Sequence, residues 1–255
     1  MADPRGVFSL INLYDLKVLD EWVPLEEVWV APSPFFTSPP DTGYFGGGDP
    51  GPVSTMDKVT YSSDTTAAVP GANLSVSRNG LAATGNSTHG YFGGGTPGPR
   101  STMDKVTYSS DTTAAVPGAS LSLARYYLAA TGNSTSGYFG GGVTTSLMDK
   151  VTYSSDTTVA VPGANLSVAR YYLAATGNST HGYFGGGGPG PLSTMDKVTY
   201  STDTTSAVPG ASLSLARYAI AATGNSTHGY FGGGGGPTTT LMDKLTYSSD
   251  TTAAV

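Results

Sequence analysis

The sequence predicts an all-β protein, a five-bladed β-propeller of four-stranded blades. Three observations carry this expectation. A unit of about 47 residues recurs along the chain, and a period of that size holding four strands matches a propeller blade. No segment sustains a 3.6-residue apolar period. The 36 Gly and 17 Pro of the 255 residues punctuate short apolar runs, as many short strands joined by tight turns require. With 38% hydrophobic residues and 16 Tyr, a packed core is expected in place of low-complexity disorder.

The repeat is marked by "GYFGGG", whose Tyr stands at Tyr44, Tyr91, Tyr138, Tyr183 and Tyr230, with spacings of 47, 47, 45 and 47 residues. "MDK" follows in every unit, with Asp57, Asp104, Asp149, Asp196 and Asp243. Four strand regions are expected per unit. In one copy these are "RYYLAATGN" (125–133), "GYFGG" (137–141), "DKVTYSS" (149–155) and "TVAVPGANLSV" (158–168). The third alternates, placing Val151 and Tyr153 on one face. Pro162 confines the fourth to an edge. Gly, Asn, Asp, Pro and Ser supply the turns.

The last copy stops at Val255, inside a unit, and "VPLEEVWV" at 23–30 carries the phase of "VPGANLSV" at 69–76. The 232 residues from Pro24 to Val255 divide into five units of about 46. The expectation is a ring over 24–255, closed by pairing N- and C-terminal strands, which removes exposed sheet edges. A longer array cut short, or an open array closing by oligomerisation, are the alternatives. A solenoid would need shorter coils and capping ends. Residues 1–23 are read as an N-terminal extension, a docking arm for an assembly partner, with Trp22 and Trp29 as docking residues.

Composition excludes several functions. The net charge of −6 is concentrated in residues 1–27, where six acids face Arg5 and Lys17. There is no basic footprint for nucleic acid, no basic amphipathic helix and no apolar run long enough to insert in a membrane. Zero cysteines exclude disulfides, thiolate metal sites and a Cys nucleophile. No basic n-region of a signal peptide precedes the apolar stretch near the start.

His89, His181 and His228 precede GYFGGG in three copies; spread around a ring, they would not converge on a metal. Asp64, Asp111, Asp156, Asp203 and Asp250 are expected to cap their own turns. Their oxygens suit calcium, but no EF-hand spacing appears. Arg78, Arg125, Arg170 and Arg217 are expected to pair with an Asp of a neighbouring blade. "GGG" lacks the Lys-Ser/Thr and helix of a P-loop and reads as close backbone packing. Asn86, Asn133, Asn178 and Asn225 in "GNST" match a glycosylation acceptor but read as hairpin turns. No Ser-His-Asp constellation breaks the symmetry. The expectation is a protein that is not an enzyme, with no metal and no cofactor.

The loop after GGG does vary: "DPGPVST", "TPGPRST", "VTTSL", "GPGPLST" and "GGPTTTL". Loops on a rigid scaffold are frequent binding sites, so Asp49, Arg100, Thr144, Leu192 and Thr239 are the candidate binding residues.

The unit resembles a kelch-type blade. An Arg opens it, Tyr138, Phe139, Gly140 and Gly141 end the second strand, and Asp149 and Tyr153 follow. The repeats carry Ala or Val where kelch blades have a Trp; only "YDLKVLDEW" (14–22) has one, a remnant of a further blade. The wording "MDKVTYSSDTTAAVPGANLSVAR" is also similar to repeat arrays in predicted proteins of marine tailed phages and bacteria. That resemblance implies a structural or recognition module, a virion tail, fibre or decoration component located on the virion or outside the cell. Its partners would be other virion proteins or a surface glycan. A free lectin-like, multivalent carbohydrate binder is the alternative, with avidity from repeated weak sites.

Overall fold

The computed structural model describes residues 41–48 and 51–255, apart from 144, 237 and 238. Residues 1–40, including Trp22, Trp29 and the strand expected to close the ring, lie outside the described residues, as do Asp49 and Thr144.

The chain is all-β, a five-bladed propeller. The first blade has β1 (Thr42–Gly46), β2 (Met56–Thr60) and β3 (Thr65–Ala68) among the described residues. The second has β4 (Ala82–Gly85), β5 (His89–Gly93), β6 (Met103–Thr107) and β7 (Thr112–Ala115). The third has β8 (Ala129–Gly132), β9 (Ser136–Gly140), β10 (Met148–Thr152) and β11 (Thr157–Ala160). The fourth has β12 (Ala174–Gly177), β13 (His181–Gly185), β14 (Met195–Thr199) and β15 (Thr204–Ala207). The fifth has β16 (Ala221–Gly224), β17 (His228–Gly232), β18 (Met242–Thr246) and β19 (Thr251–Ala254). Each is an antiparallel meander in sequence order with one register, in which Phe92, Phe184 and Phe231 oppose Asp104, Asp196 and Asp243.

Two strands differ from the sequence expectation. The inner strand is shorter, starting at Ala129 rather than Arg125, because residues 125–127 turn away through a positive φ at Tyr127. The outer strand ends at Ala160, and Pro162–Ala164 form a single 3-10 turn, since Pro fixes φ and offers no N–H to continue a ladder.

The core lies between blades. Tyr91 and Met103 of the second blade pack with Phe139, Val151 and Tyr153 of the third, and Ala119 and Leu121 of the connecting turn fill the gap. The same set recurs between the third and fourth blades and between the fourth and fifth. Interior sheets are therefore covered on both faces, which explains why β9 is buried along its whole length. The glycine run permits the close approach expected of it: Gly94 sits at φ 76°, and a Cβ there would stand 2.7 Å from the Arg125 carbonyl oxygen.

Two kinds of ion pair, four of each among the described residues, fix this packing. Arg78, Arg170 and Arg217 pair with Asp104, Asp196 and Asp243, and Arg125 with Asp149. These pairs are buried and lie within one repeat, not between neighbouring blades as the sequence suggested. The register explains this: the guanidinium reaches the carbonyl of Phe92 or Phe184 at 3.0 and 2.9 Å, directly across from the Asp of the same sheet. The second pair does cross between blades. Lys58, Lys105, Lys150 and Lys197 reach Asp111, Asp156, Asp203 and Asp250 at 2.8 to 2.9 Å. Tyr44, Tyr91, Tyr138 and Tyr183 donate their hydroxyls to the same carboxylates. These aspartates take the left-handed conformation in their turns, φ 50–52°, yet their carboxylates clamp the preceding blade instead of capping the turn.

Candidate binding face

The variable loops run back to the segment that opens an inner strand. Arg125 N donates to Arg100 O at 2.9 Å, and Arg217 N donates to Leu192 O at 3.0 Å. Arg100 and Leu192 are half-buried. Thr239 accepts from the Leu241 amide through its hydroxyl, a local turn bond of 3.0 Å. These three candidates thus sit on the loop side of the propeller, with their backbones or hydroxyls committed to holding the loops.

The same side carries a feature the sequence reading passed over. The two residues after each recurrent Arg differ between copies: Asn79-Gly80, Tyr126-Tyr127, Tyr171-Tyr172 and Tyr218-Ala219. The second of each pair lies at positive φ, 59°, 58°, 54° and 52°. A ladder of backbone bonds joins them across blades. Tyr127 N donates to Gly80 O (2.7 Å), Tyr172 N to Tyr127 O (2.9 Å) and Ala219 N to Tyr172 O (2.8 Å). Left-handed φ at a bulky residue costs roughly 1–2 kcal/mol and persists only where the surroundings enforce it. Here the ladder enforces it.

The consequence is an aromatic cluster. Tyr127 and Tyr172 stack with centroids 3.9 Å apart, Tyr126 meets Tyr127 edge-on at 4.8 Å, and Tyr171 lies 5.3 Å from Tyr172. Tyr218 extends the row, 6.3 Å from Tyr172. Burial, together with the Tyr127 hydroxyl bond, holds the Tyr172 phenol above its ordinary pKa. Tyr126, Tyr127, Tyr171 and Tyr172 line a groove of about 590 Å³ with Ala169 and two loop residues, Val143 and Pro189. Its position where copies diverge was the available sequence signal.

A second groove of similar size lies between the fourth and fifth blades, lined by His181, Lys197, Thr227, His228 and Thr246. His181 and His228 thus share one groove. Burial, then Lys197, pushes the His181 pKa down. Among the described residues no cluster of three or more His, Cys, Asp or Glu could hold a metal. The Asn of GNST serves its hairpin: Asn178 Oδ1 accepts from the Thr180 amide and hydroxyl and the His181 amide, each at 2.9 Å. No protein-family model and no curated protein matches this chain.

Proposed function

We propose that the protein is a non-enzymatic recognition module that binds carbohydrate on its loop face, with the tyrosine groove as the subsite. The observation that supports this is the set of four tyrosines lining one groove, two of them held at strained backbone angles. Strain kept at a surface cluster points to use of that surface. Aromatic faces offer large, rigid apolar area with a polar hydroxyl at the edge. That combination suits a pyranose ring, which has an apolar C–H face and a polar rim. The resemblance to phage repeat arrays favours a virion-associated setting, with residues 1–23 docking the module through Trp22 and Trp29. A free lectin would use the same groove.

The test is glycan binding by the intact chain and by Tyr172→Gly. Gly already occupies the equivalent left-handed position at Gly80, so the variant keeps its fold. Its affinity should fall by about tenfold or more, the equivalent of one stacking contact. Binding that survives unchanged, or that no glycan produces, rejects the groove as the site.

A further inference from the structure

The inner junctions define what a blade presents to its neighbours. On its trailing face, a blade offers a Tyr and a Lys from its two central strands and a buried Met, as in Tyr183, Lys197 and Met195. On its leading face, the next blade offers an Asp, a Tyr and a Phe, as in Asp250, Tyr247 and Phe231. All the described junctions repeat this exchange of groups.

The fifth blade presents a complete trailing set in Tyr230, Lys244 and Met242, and the first blade presents a complete leading set in Asp64, Tyr61 and Phe45. Among the described residues these groups have none of the partners that their equivalents have. Met242 is 38% exposed, against 1% for Met195. Phe45 is 64% exposed, against 0% for Phe139, and Tyr61 is 57% exposed. Asp64 already holds φ 52°, the angle Asp156 uses in its clamp. The two faces belong to one compact unit, Pro39–Val255, yet they do not cover each other.

We propose that the trailing face of the fifth blade docks the leading face of the first blade in a second copy of this chain, head to tail. Lys244 would enter the Asp64 carboxylate of that copy, Tyr230 would donate to it, and Phe45 would close over Met242. Charge and shape are complementary group by group because the inner junctions use the same pieces. A second copy would satisfy both faces as they stand, since the chain's own groups leave Met242, Phe45 and Tyr61 exposed. A heterologous contact of this kind builds rings or filaments.

The experiment is sedimentation of the full chain over a concentration series, alone and as the variants Asp64→Lys, Lys244→Glu and Phe45→Ser. These side chains lie on the uncovered faces, so the fold is retained, and thermal melting checks that. Wild type should associate with rising concentration. Each variant should weaken association by about tenfold or more. An equimolar mixture of Asp64→Lys and Lys244→Glu should regain it, since the swapped charges match across copies. Carboxyl-to-amine crosslinking of isotope-labelled with unlabelled wild type should give mixed-label Lys244–Asp64 peptides. A monomer at every concentration, crosslinks only within one copy or to residues 1–40, or oligomers indifferent to all three variants would each overturn the proposal.

Discussion

Arg170–Asp196 and Lys197–Asp250 represent two kinds of ion pair that each occur four times among the described residues, here at 2.7 and 2.8 Å, but their surroundings differ. Both members of the first are wholly buried, while those of the second are 17% and 33% exposed. Arg170 also donates to the carbonyls of Thr194 and Phe184, each at 2.9 Å, so its planar fork ties the segment leading into β12 to β13 and to the start of β14. Lys197 instead reaches across to the next blade, with its Nζ 5.7 Å from the Tyr183 ring centre. The chain keeps its dry, multiply bonded cation inside the blade and its wet one at the joint. The cation at the joint is thus a salt-sensitive contact laid over the apolar core that lies between blades.

Breaking the dry pair should have the largest effect. Arg170→Met leaves a buried carboxylate unpaired and should cost about 3–5 kcal/mol in denaturant unfolding, most of it recovered by adding Asp196→Leu. A cost below about 1 kcal/mol would show that the pair does not hold the blade. Arg125 sharpens the point. Its blade has the shorter "VTTSL" loop, and one guanidinium nitrogen, Nη1, lacks the carbonyl partner that Arg78, Arg170 and Arg217 find. Arg125→Met should therefore cost about 1 kcal/mol less than Arg170→Met, one hydrogen bond's worth.

The joints should respond to pH. Hydrogen bonds from Tyr44 and Lys58 pull the Asp111 pKa below 3.8. Burial pushes Asp156 and Asp250 up, but their Lys and Tyr bonds outweigh it and the net shift is again downward. A carboxylate with a depressed folded-state pKa stabilises the fold above its unfolded value and loses that contribution as pH falls. Stability should accordingly drop below about pH 4. At the other end, burial raises Tyr108 and Tyr153 to about 12. The neutral phenol is favoured, so their contribution is full below about pH 10 and lost between there and 12. Melting temperatures across the pH range that stay flat through both windows would contradict this.

The smallest effect belongs to the wet pair by itself. Lys150→Met should cost about 0.5–1 kcal/mol, shrinking in high salt. An effect as large as that of Arg170→Met would erase the contrast between blade and joint.

The blades, their order and the Gly-Asn hairpins were legible because they depend on residues close together in sequence. The destinations of the charges were not. Asp156 and its Lys105 partner stand 51 residues apart, and in a repeating chain every Asp sees an equivalent Lys before and after it. Spacing cannot choose between them; the direction of the φ-positive turn does. The Arg pairing failed for the same reason, since own-blade and neighbour-blade Asp look alike at a fixed period. The tyrosine groove was not legible because the loops after GGG carry the more conspicuous variation, while Tyr126-Tyr127 and Tyr171-Tyr172 replace Asn79-Gly80 just beside a recurrent Arg.

Every joint among the described residues draws its Tyr and Lys from one unit and its Asp from the next, so none of these joints depends on which unit it is. A gene encoding such a protein can gain or lose a unit by recombination between its own copies and leave all remaining joints chemically intact. What changes is how many units the assembly holds. The tyrosine ladder, by contrast, is not interchangeable: shifting the order of units would move Gly80, Tyr127, Tyr172 and Ala219 past one another and redraw the surface while the scaffold stayed the same.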